Sequence, residues 1–191
     1  MSLAWLPNAI TLARMALAAP LAWLILDGQY AAALVVALLA GGSDAVDGWL
    51  AKRFDWGSWL GGVLDPLADK LMLLAAFTAL TLRDASPAWL LGLVLGRDLL
   101  IVAGAIAYHN LVGRLDARPT RLSKLTTLLQ IVYVLALLLA LAPVYALPRA
   151  LELALLWATA AVTVASGADY VVRWSLKARA ALRAARLPPR A

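Results

Sequence analysis

Six long apolar stretches, joined by short polar connections, constrain the fold of this chain more than any other feature of its sequence. A helix needs roughly 20 apolar residues to cross the hydrocarbon core of a bilayer, and each stretch is about that long. The connections contain turn-forming Gly, Pro, Asp and Ser residues. The sequence therefore predicts an all-α integral membrane protein with six transmembrane helices, near residues 7–26, 30–53, 61–82, 88–112, 122–142 and 150–173.

Composition points to the same class. The chain has 191 residues, of which 64% are hydrophobic and 15% are charged. So few charges could not cover a water-facing globule of this size. We expect residues 1–174 to form one six-helix domain and residues 175–191 to form a basic cytoplasmic tail.

The basic residues predict an orientation in the membrane. The net charge of +6 does not indicate nucleic acid binding, because the Lys and Arg residues lie between apolar stretches, where they meet anionic membrane lipids. Excluding Arg14, Lys70 and Arg97 inside the spans, twelve basic residues fall on one side and two on the other. Cytoplasmic loops carry the excess of positive charge, so both termini are expected in the cytoplasm.

Four aspartates lie inside predicted spans, where charged groups are costly and usually functional. Asp44 and Asp47 are three residues apart near the end of the second span, and Asp65 and Asp69 are four apart near the start of the third. Both spacings place two carboxylates on one helix face. A short connection joins the two helices, so the pairs are expected to converge at the cytoplasmic edge of the membrane.

Four convergent carboxylates in a low-dielectric site require a cation. Oxygen ligands without His or Cys favour Mg²⁺ or Mn²⁺. Gly48 and Ala51 share a helix face with Asp44, and Gly61 lies one turn before Asp65, leaving room for a diphosphate. Lys52 or Arg53 would add positive charge to the same phosphates.

Two other interpretations compete with metal-dependent phosphoryl chemistry. A single aspartate in a span often serves as a structural partner for Arg, but two pairs with interleaved glycines fit this less well. A cation or proton transporter also carries carboxylates in its spans. Transporter sites lie near the bilayer midplane in repeated halves, whereas these carboxylates lie near helix ends and no repeat is evident.

The segment 44–69 resembles the signature of the CDP-alcohol phosphatidyltransferases, which has eight fixed positions. Seven of them agree in type and spacing: Asp44, Asp47, Gly48, Ala51, Gly61, Asp65 and Asp69. The eighth is Arg in the family and Lys52 here, followed by Arg53. Lysine keeps the charge but lacks the planar, bidentate guanidinium. The wider similarity covers about residues 6–172.

The resemblance implies a role for each matching residue. Asp44, Asp47 and Asp65 would bind metal, with two ions in the site. Asp69 would be the catalytic base that deprotonates the acceptor hydroxyl while touching a second metal ion. The nucleotide and diphosphate would bind along a set of six residues: Asp44, Gly48, Ala51, Lys52, Arg53 and Gly61.

The family also implies a six-helix catalytic domain, a homodimer and a polar cavity open to the cytoplasm. For this chain we expect a location in the bacterial inner membrane. The donor would be CDP-diacylglycerol, and the metals would neutralise its diphosphate and stabilise CMP as the leaving group. We expect direct displacement, because no activated Ser, Cys or His accompanies the aspartates.

The acceptor is a separate inference within the family. Residues 6–20, 96–100 and 119–130 look most like the eukaryotic-type cardiolipin synthases, a group also found in bacteria. That similarity implies phosphatidylglycerol as acceptor, with Arg97, Arg121 and Lys124 as candidate groups for its phosphodiester. The alternative is phosphatidylglycerophosphate synthesis with glycerol 3-phosphate as acceptor. Both acceptors are anionic, so charge does not separate them.

Overall fold

A computed structural model describes the backbone of residues 6–54, 59–112, 120–143 and 146–185. Within the helices, the side chains of residues 6–8, 44–45, 47–52, 54, 59–63, 108–112 and 178–185 lie outside the description. The described residues form six α-helices in the order α1 Leu6–Leu26, α2 Tyr30–Phe54, α3 Trp59–Leu82, α4 Ala88–Val112, α5 Arg121–Leu141 and α6 Arg149–Ala185.

The six predicted spans are confirmed as six helices. The first five agree with the predicted limits to within two residues, but α6 continues to Ala185 instead of ending near residue 173. Residues 175–185 consist of Ser, Leu, Lys, Ala and Arg, most of which favour helices, and the first proline after them is Pro188. The last helix therefore extends into the stretch predicted as a basic tail.

Within the described residues, four helical segments are long and apolar enough to cross a membrane: Ala9–Leu26, Ala88–Ala107, Arg121–Leu141 and Arg149–Lys177. In α2 the described apolar part is the shorter segment Tyr30–Ser43. The described part of α3, residues 64–82, carries Asp65, Asp69 and Lys70, which lower its hydropathy. The signature aspartates lie on these two helices, α2 and α3.

Capping motifs lie at the ends of several helices. Gly28 has a φ of +79° and follows α1, where its N–H donates to Ile25 O and the Gln29 N–H donates to Leu24 O. These two bonds form a Schellman motif, which requires a left-handed residue. Asp84 ends α3 in the same way, with a φ of +55°. At the start of α5, the Ser123 N–H donates to Thr120 Oγ1 over 3.1 Å.

The chain divides into two compact units. The first comprises residues 1–87 and 131–153. In it α1 packs against both α2 and α3, and the Phe77 and Tyr133 rings stack with their centroids 5.9 Å apart. The core of this unit is apolar and includes the buried side chains Leu21, Ile25, Ala33, Ala68, Phe77, Leu80 and Leu138.

The second unit comprises residues 88–130 and 154–191. Its core contains buried hydroxyl and amide side chains, namely Thr126, Gln130, Thr159, Thr163 and Ser166. Thr126 Oγ1 on α5 donates to Val162 O on α6, and Thr163 Oγ1 donates to Thr159 O. Small hydroxyl residues of this kind are enriched where transmembrane helices pack closely.

Large apolar side chains point outward in both units. Leu12, Leu39, Leu99, Ile106 and Val164 are all more than half exposed, whereas the charged side chains of Arg14 and Arg97 are buried. A soluble protein rarely exposes so much apolar surface. This distribution is that of an integral membrane protein, with lipid against its outer face.

Candidate active site on α3 and α1

The two aspartates of α3 each accept a hydrogen bond from α1. Thr11 Oγ1 donates to Asp65 Oδ1 over 2.6 Å, and Arg14 Nη1 donates to Asp69 Oδ1 over 2.9 Å. The second contact is also an ion pair. Both partners lie in the first unit, so the geometry belongs to one packed body.

The helical register explains why the contacts come in pairs. Thr11 and Arg14 are three residues apart on α1, while Asp65 and Asp69 are four apart on α3, so each pair occupies one turn of one face. Residue numbers increase in the same direction along both helices, which means that α1 and α3 run parallel. These two contacts, one helical turn apart, fix both the depth and the rotation of α3 against α1.

In each contact, the donor on α1 and the aspartate on α3 differ in burial. Thr11 is 1% exposed, and the Arg14 side chain is 2% exposed. The Asp69 side chain is 43% exposed, and Asp65 is partly exposed. The donors are thus enclosed between helices, while the carboxylates remain accessible to a ligand.

An apolar cavity of about 380 Å³ opens beside Asp69 in the same unit. Arg14 and Asp69 are the charged residues of its lining, and the remaining lining residues are apolar or glycine: Leu21, Ala37, Leu38, Ala40, Gly41, Gly42, Met72, Leu73, Ala76, Ile131, Val134 and Leu135. A Cβ added at Gly41 or Gly42 would meet no atom within 4 Å. The cavity therefore joins a carboxylate to an apolar surface formed by α1, α2, α3 and α5.

The other aspartates of the signature fall in α2, and their side chains lie outside the described residues. The same holds for the remaining diphosphate candidates Gly48, Ala51, Lys52 and Gly61. The helical backbone of α2 runs through residues 44–54, which places Asp44 and Asp47 one turn apart, as the spacing predicted. Arg53 is exposed.

The donor set near α3 fits a hard divalent cation in its chemistry. Asp65 and Asp69 supply carboxylate oxygens, and this Cys-free chain has no thiolate ligand. Among the side chains that the structure describes, no three His, Asp or Glu residues cluster as a complete metal site. A complete site would need Asp44 and Asp47, so the metal assignment of all four aspartates stays a prediction.

Arg97, a candidate for acceptor binding, donates to three side chains of the second unit. Its Nη1 donates to Asp98 Oδ1 over 2.7 Å, and its Nη2 donates to Ser123 Oγ and Ser166 Oγ over 2.6 and 2.9 Å. The guanidinium carbon lies 5.8 Å from the centre of the Tyr170 ring. Arg97 thereby links α4, α5 and α6, and its role in acceptor binding stays a prediction.

Arg121 and Lys124, the other acceptor candidates, occupy the first turn of α5. Both side chains are exposed. Thr120 caps this turn through Ser123, which also accepts the bond from Arg97. The cap and the Arg97 contact fix the helix end that carries the two cations.

The sequence interpretation missed Thr11 and did not identify the partner of Arg14. The available signal was a threonine and an arginine three residues apart inside an otherwise apolar span. A buried Arg in a span requires a partner, but nothing local indicates which carboxylate, because the contact joins residues 55 positions apart.

Apolar helices of membrane-spanning length, with Asp69 and Arg14 lining an apolar cavity of the first unit, define an integral membrane protein with a polar site between its helices. The model of the CDP-alcohol phosphatidyltransferase family matches residues 4–165. The chain therefore belongs to that family, and the resemblance found in residues 44–69 is confirmed.

Several curated proteins are similar to this chain. It is 33% identical over 179 residues to the human cardiolipin synthase (CMP-forming), covering 85% of this chain and 59% of that protein. A cardiolipin synthase (CMP-forming) of Streptomyces coelicolor is 38% identical over 113 residues, covering 55% of this chain and 53% of that protein. The chain thus spans little more than half the length of these two relatives.

A relative of different name is matched over nearly its full length. The CDP-diacylglycerol–glycerol-3-phosphate 3-phosphatidyltransferase of Bacillus subtilis is 32% identical over 180 residues, which cover 86% of this chain and 92% of that protein. The sequence identity to this relative, 32%, is close to the 33% and 38% identity to the two cardiolipin synthases. Identity alone does not decide between their acceptors.

Proposed function

We propose that this chain transfers the phosphatidyl group of CDP-diacylglycerol to phosphatidylglycerol, giving cardiolipin and CMP. The observation that carries the proposal is the position of Asp69, a partly exposed carboxylate that lines a cavity whose other lining residues, apart from Arg14, are apolar or glycine. A reaction between two lipids needs a base at headgroup depth and an adjoining surface for acyl chains. Relatives named cardiolipin synthase support the same acceptor.

The residues of the site have distinct roles in this proposal. Asp65, with Asp44 and Asp47, holds the divalent cations, Mg²⁺ or Mn²⁺, and Asp69 accepts the proton of the attacking hydroxyl. When bound, the cations neutralise the diphosphate and stabilise the CMP leaving group. Lys52 and Arg53 bind the diphosphate, and Arg121 and Lys124 attract the anionic acceptor.

The reaction breaks a bond in the diphosphate of CDP-diacylglycerol. This bond joins the β-phosphorus, which carries the diacylglycerol, to the oxygen that bridges it to the α-phosphate. The acceptor hydroxyl oxygen forms the new bond to phosphorus, its proton passes to Asp69, and the bridging oxygen leaves with CMP.

We further propose that the active site faces the cytoplasm of a bacterial inner membrane and that the enzyme is a homodimer. The excess of basic residues in the predicted cytoplasmic loops supports the orientation.

A second candidate uses glycerol 3-phosphate as the acceptor and forms phosphatidylglycerophosphate. The near-complete coverage of the Bacillus subtilis relative favours it. Such an enzyme needs a polar pocket for a phosphate dianion. The cavity beside Asp69 is apolar apart from Arg14 and Asp69, which is why we prefer the lipid acceptor.

The deciding experiment supplies purified protein with CDP-diacylglycerol, Mn²⁺ or Mg²⁺, and each acceptor separately. We expect CMP release and cardiolipin with phosphatidylglycerol, little turnover with glycerol 3-phosphate, and loss of both products when the metal is chelated. Efficient use of glycerol 3-phosphate without cardiolipin would select the second candidate. Turnover that survives chelation would contradict the metal dependence.

A further inference from the structure

We propose that Thr11 and Arg14 of α1 are positioning residues with different tasks: Thr11 orients Asp65 for the divalent cation, and Arg14 orients Asp69 for the acceptor hydroxyl. The inference rests on the proposed function for the chemistry at these carboxylates. It rests on the structure for the contacts, which are 2.6 Å for Thr11–Asp65 and 2.9 Å for Arg14–Asp69.

In each of the two contacts, the donor on α1 is more buried than the carboxylate on α3. Thr11 and Arg14 are almost fully enclosed, whereas the Asp69 side chain is 43% exposed. A side chain enclosed between two helices has few rotamers available, and its hydrogen bond passes that restraint to the carboxylate. Productive geometry depends on such restraint, because a carboxylate misplaced by about 1 Å can lose much of its effect.

The two donors differ in charge. The Thr11 hydroxyl is neutral, so Asp65 keeps the full negative charge that makes a carboxylate a ligand for Mg²⁺ or Mn²⁺. Arg14 is cationic, so the Arg14–Asp69 pair has no net charge and attracts a cation less. One helix thereby gives two similar aspartates on the same face of α3 different roles.

The task of Thr11 is tested by binding of Mn²⁺ without lipid. Full-length protein in detergent would be titrated with Mn²⁺ and followed by electron paramagnetic resonance. Removing a group that orients a metal ligand typically costs 10–100-fold in affinity, so Thr11→Val should raise the Mn²⁺ dissociation constant by about 10-fold or more. Thr11→Ser keeps the hydroxyl and should restore the affinity to within about 3-fold of the unmodified protein.

The control is Thr163→Val, another buried threonine, whose hydroxyl donates to Thr159 O within α6. It should leave Mn²⁺ affinity unchanged. If Thr11→Val does not purify as folded protein, Thr11→Ala removes the same hydroxyl with a smaller side chain. A Thr11 variant without the hydroxyl that binds Mn²⁺ as tightly as Thr163→Val overturns the proposal.

Arg14 is tested by comparing Mn²⁺ affinity with turnover. Arg14→Gln should leave the Mn²⁺ dissociation constant within about 3-fold and lower the kcat for CMP release by about 10–100-fold. The KM for CDP-diacylglycerol should stay unchanged, and Arg14→Lys should recover part of the kcat. An Arg14→Gln variant that loses only thermal stability, or loses Mn²⁺ affinity as strongly as kcat, contradicts the assignment.

Failure of the proposed function has a different signature. Protein that binds Mn²⁺ and releases CMP with glycerol 3-phosphate, but makes no cardiolipin, refutes the choice of acceptor and leaves both positioning tests valid. Protein that binds no Mn²⁺ overturns the positioning proposal itself.

Discussion

Arg14 Nη1 lies 2.9 Å from Asp69 Oδ1, and the arginine is 2% exposed while the aspartate is 43% exposed. The ion pair therefore has a buried cation and an accessible anion. A buried charge in a span is tolerated only with compensation. Asp69 is consequently both a partner that stabilises the helix packing and a candidate for proton transfer.

Replacement of the α3 aspartates should separate metal binding from proton transfer. Asp65→Asn should weaken the binding of both Mn²⁺ and CDP-diacylglycerol, because it removes a carboxylate charge at the cation site. Asp69→Asn should leave donor binding nearly intact and lower turnover by about 10²–10⁴-fold, the usual contribution of a general base. Binding and CMP release are measured on the same preparations, and the reverse pattern would exchange the two roles.

Because Asp69→Asn also removes the charge that compensates Arg14, stability must be followed in parallel. The single variant should unfold at a lower temperature. The double variant Arg14→Gln/Asp69→Asn should regain part of that loss, because it removes the buried cation together with the carboxylate that it contacts. Turnover should stay low in both, which distinguishes lost catalysis from lost folding.

Substitution of Arg97 should reduce stability, and substitution of the exposed cations of α5 should not. Arg97→Gln leaves Ser123, Ser166 and Asp98 without their common donor, and each buried polar group that loses a bond costs about 1–3 kcal/mol. Arg121→Gln and Lys124→Gln should keep the unfolding temperature and raise the KM for phosphatidylglycerol several-fold. An Arg97→Gln variant of normal stability with a raised acceptor KM would instead assign Arg97 to the acceptor.

Two glycines of α4 should respond oppositely to alanine. A Cβ at Gly104 would lie 2.7 Å from two ring carbons of Trp174, whereas a Cβ at Gly92 would meet no atom within 4 Å. Overpacking costs about 1–3 kcal/mol, while alanine in an open helix position gains up to about 1 kcal/mol. Unfolding in detergent should show Gly104→Ala destabilised and Gly92→Ala unchanged or stabilised. Equal effects would mean that Trp174 does not pack on Gly104.

The orientation is tested with single cysteines in this Cys-free chain. Ser175 on α6 and Gln29 between α1 and α2 are both exposed, whereas Ser86 is only 3% exposed and its hydroxyl lies 3.3 Å from that of Tyr133. An impermeant thiol reagent should label Ser175→Cys from the cytoplasmic side and Gln29→Cys from the other side. Labelling of both from one side would contradict the six-span topology.

The sequence by itself determined the class of fold, because length and hydropathy are properties that each helix carries alone. Five helices were predicted to within two residues, and the sixth was underestimated because its basic continuation contains helix-forming residues that hydropathy does not detect. The aspartate spacing likewise predicted which carboxylates share a face, since helical periodicity is local. The family signature lies within one such local stretch.

Only the tertiary structure decided which residues meet across helices. Nothing in residues 6–26 indicates that Thr11 and Arg14 contact Asp65 and Asp69, because the pairing depends on the depth and rotation at which α1 packs against α3. Arg97 shows the same limit: Asp98 is its neighbour in the sequence, but Ser123 and Ser166 come from two other helices. Periodicity fixes the face of each helix, and packing alone fixes which faces meet and in what register.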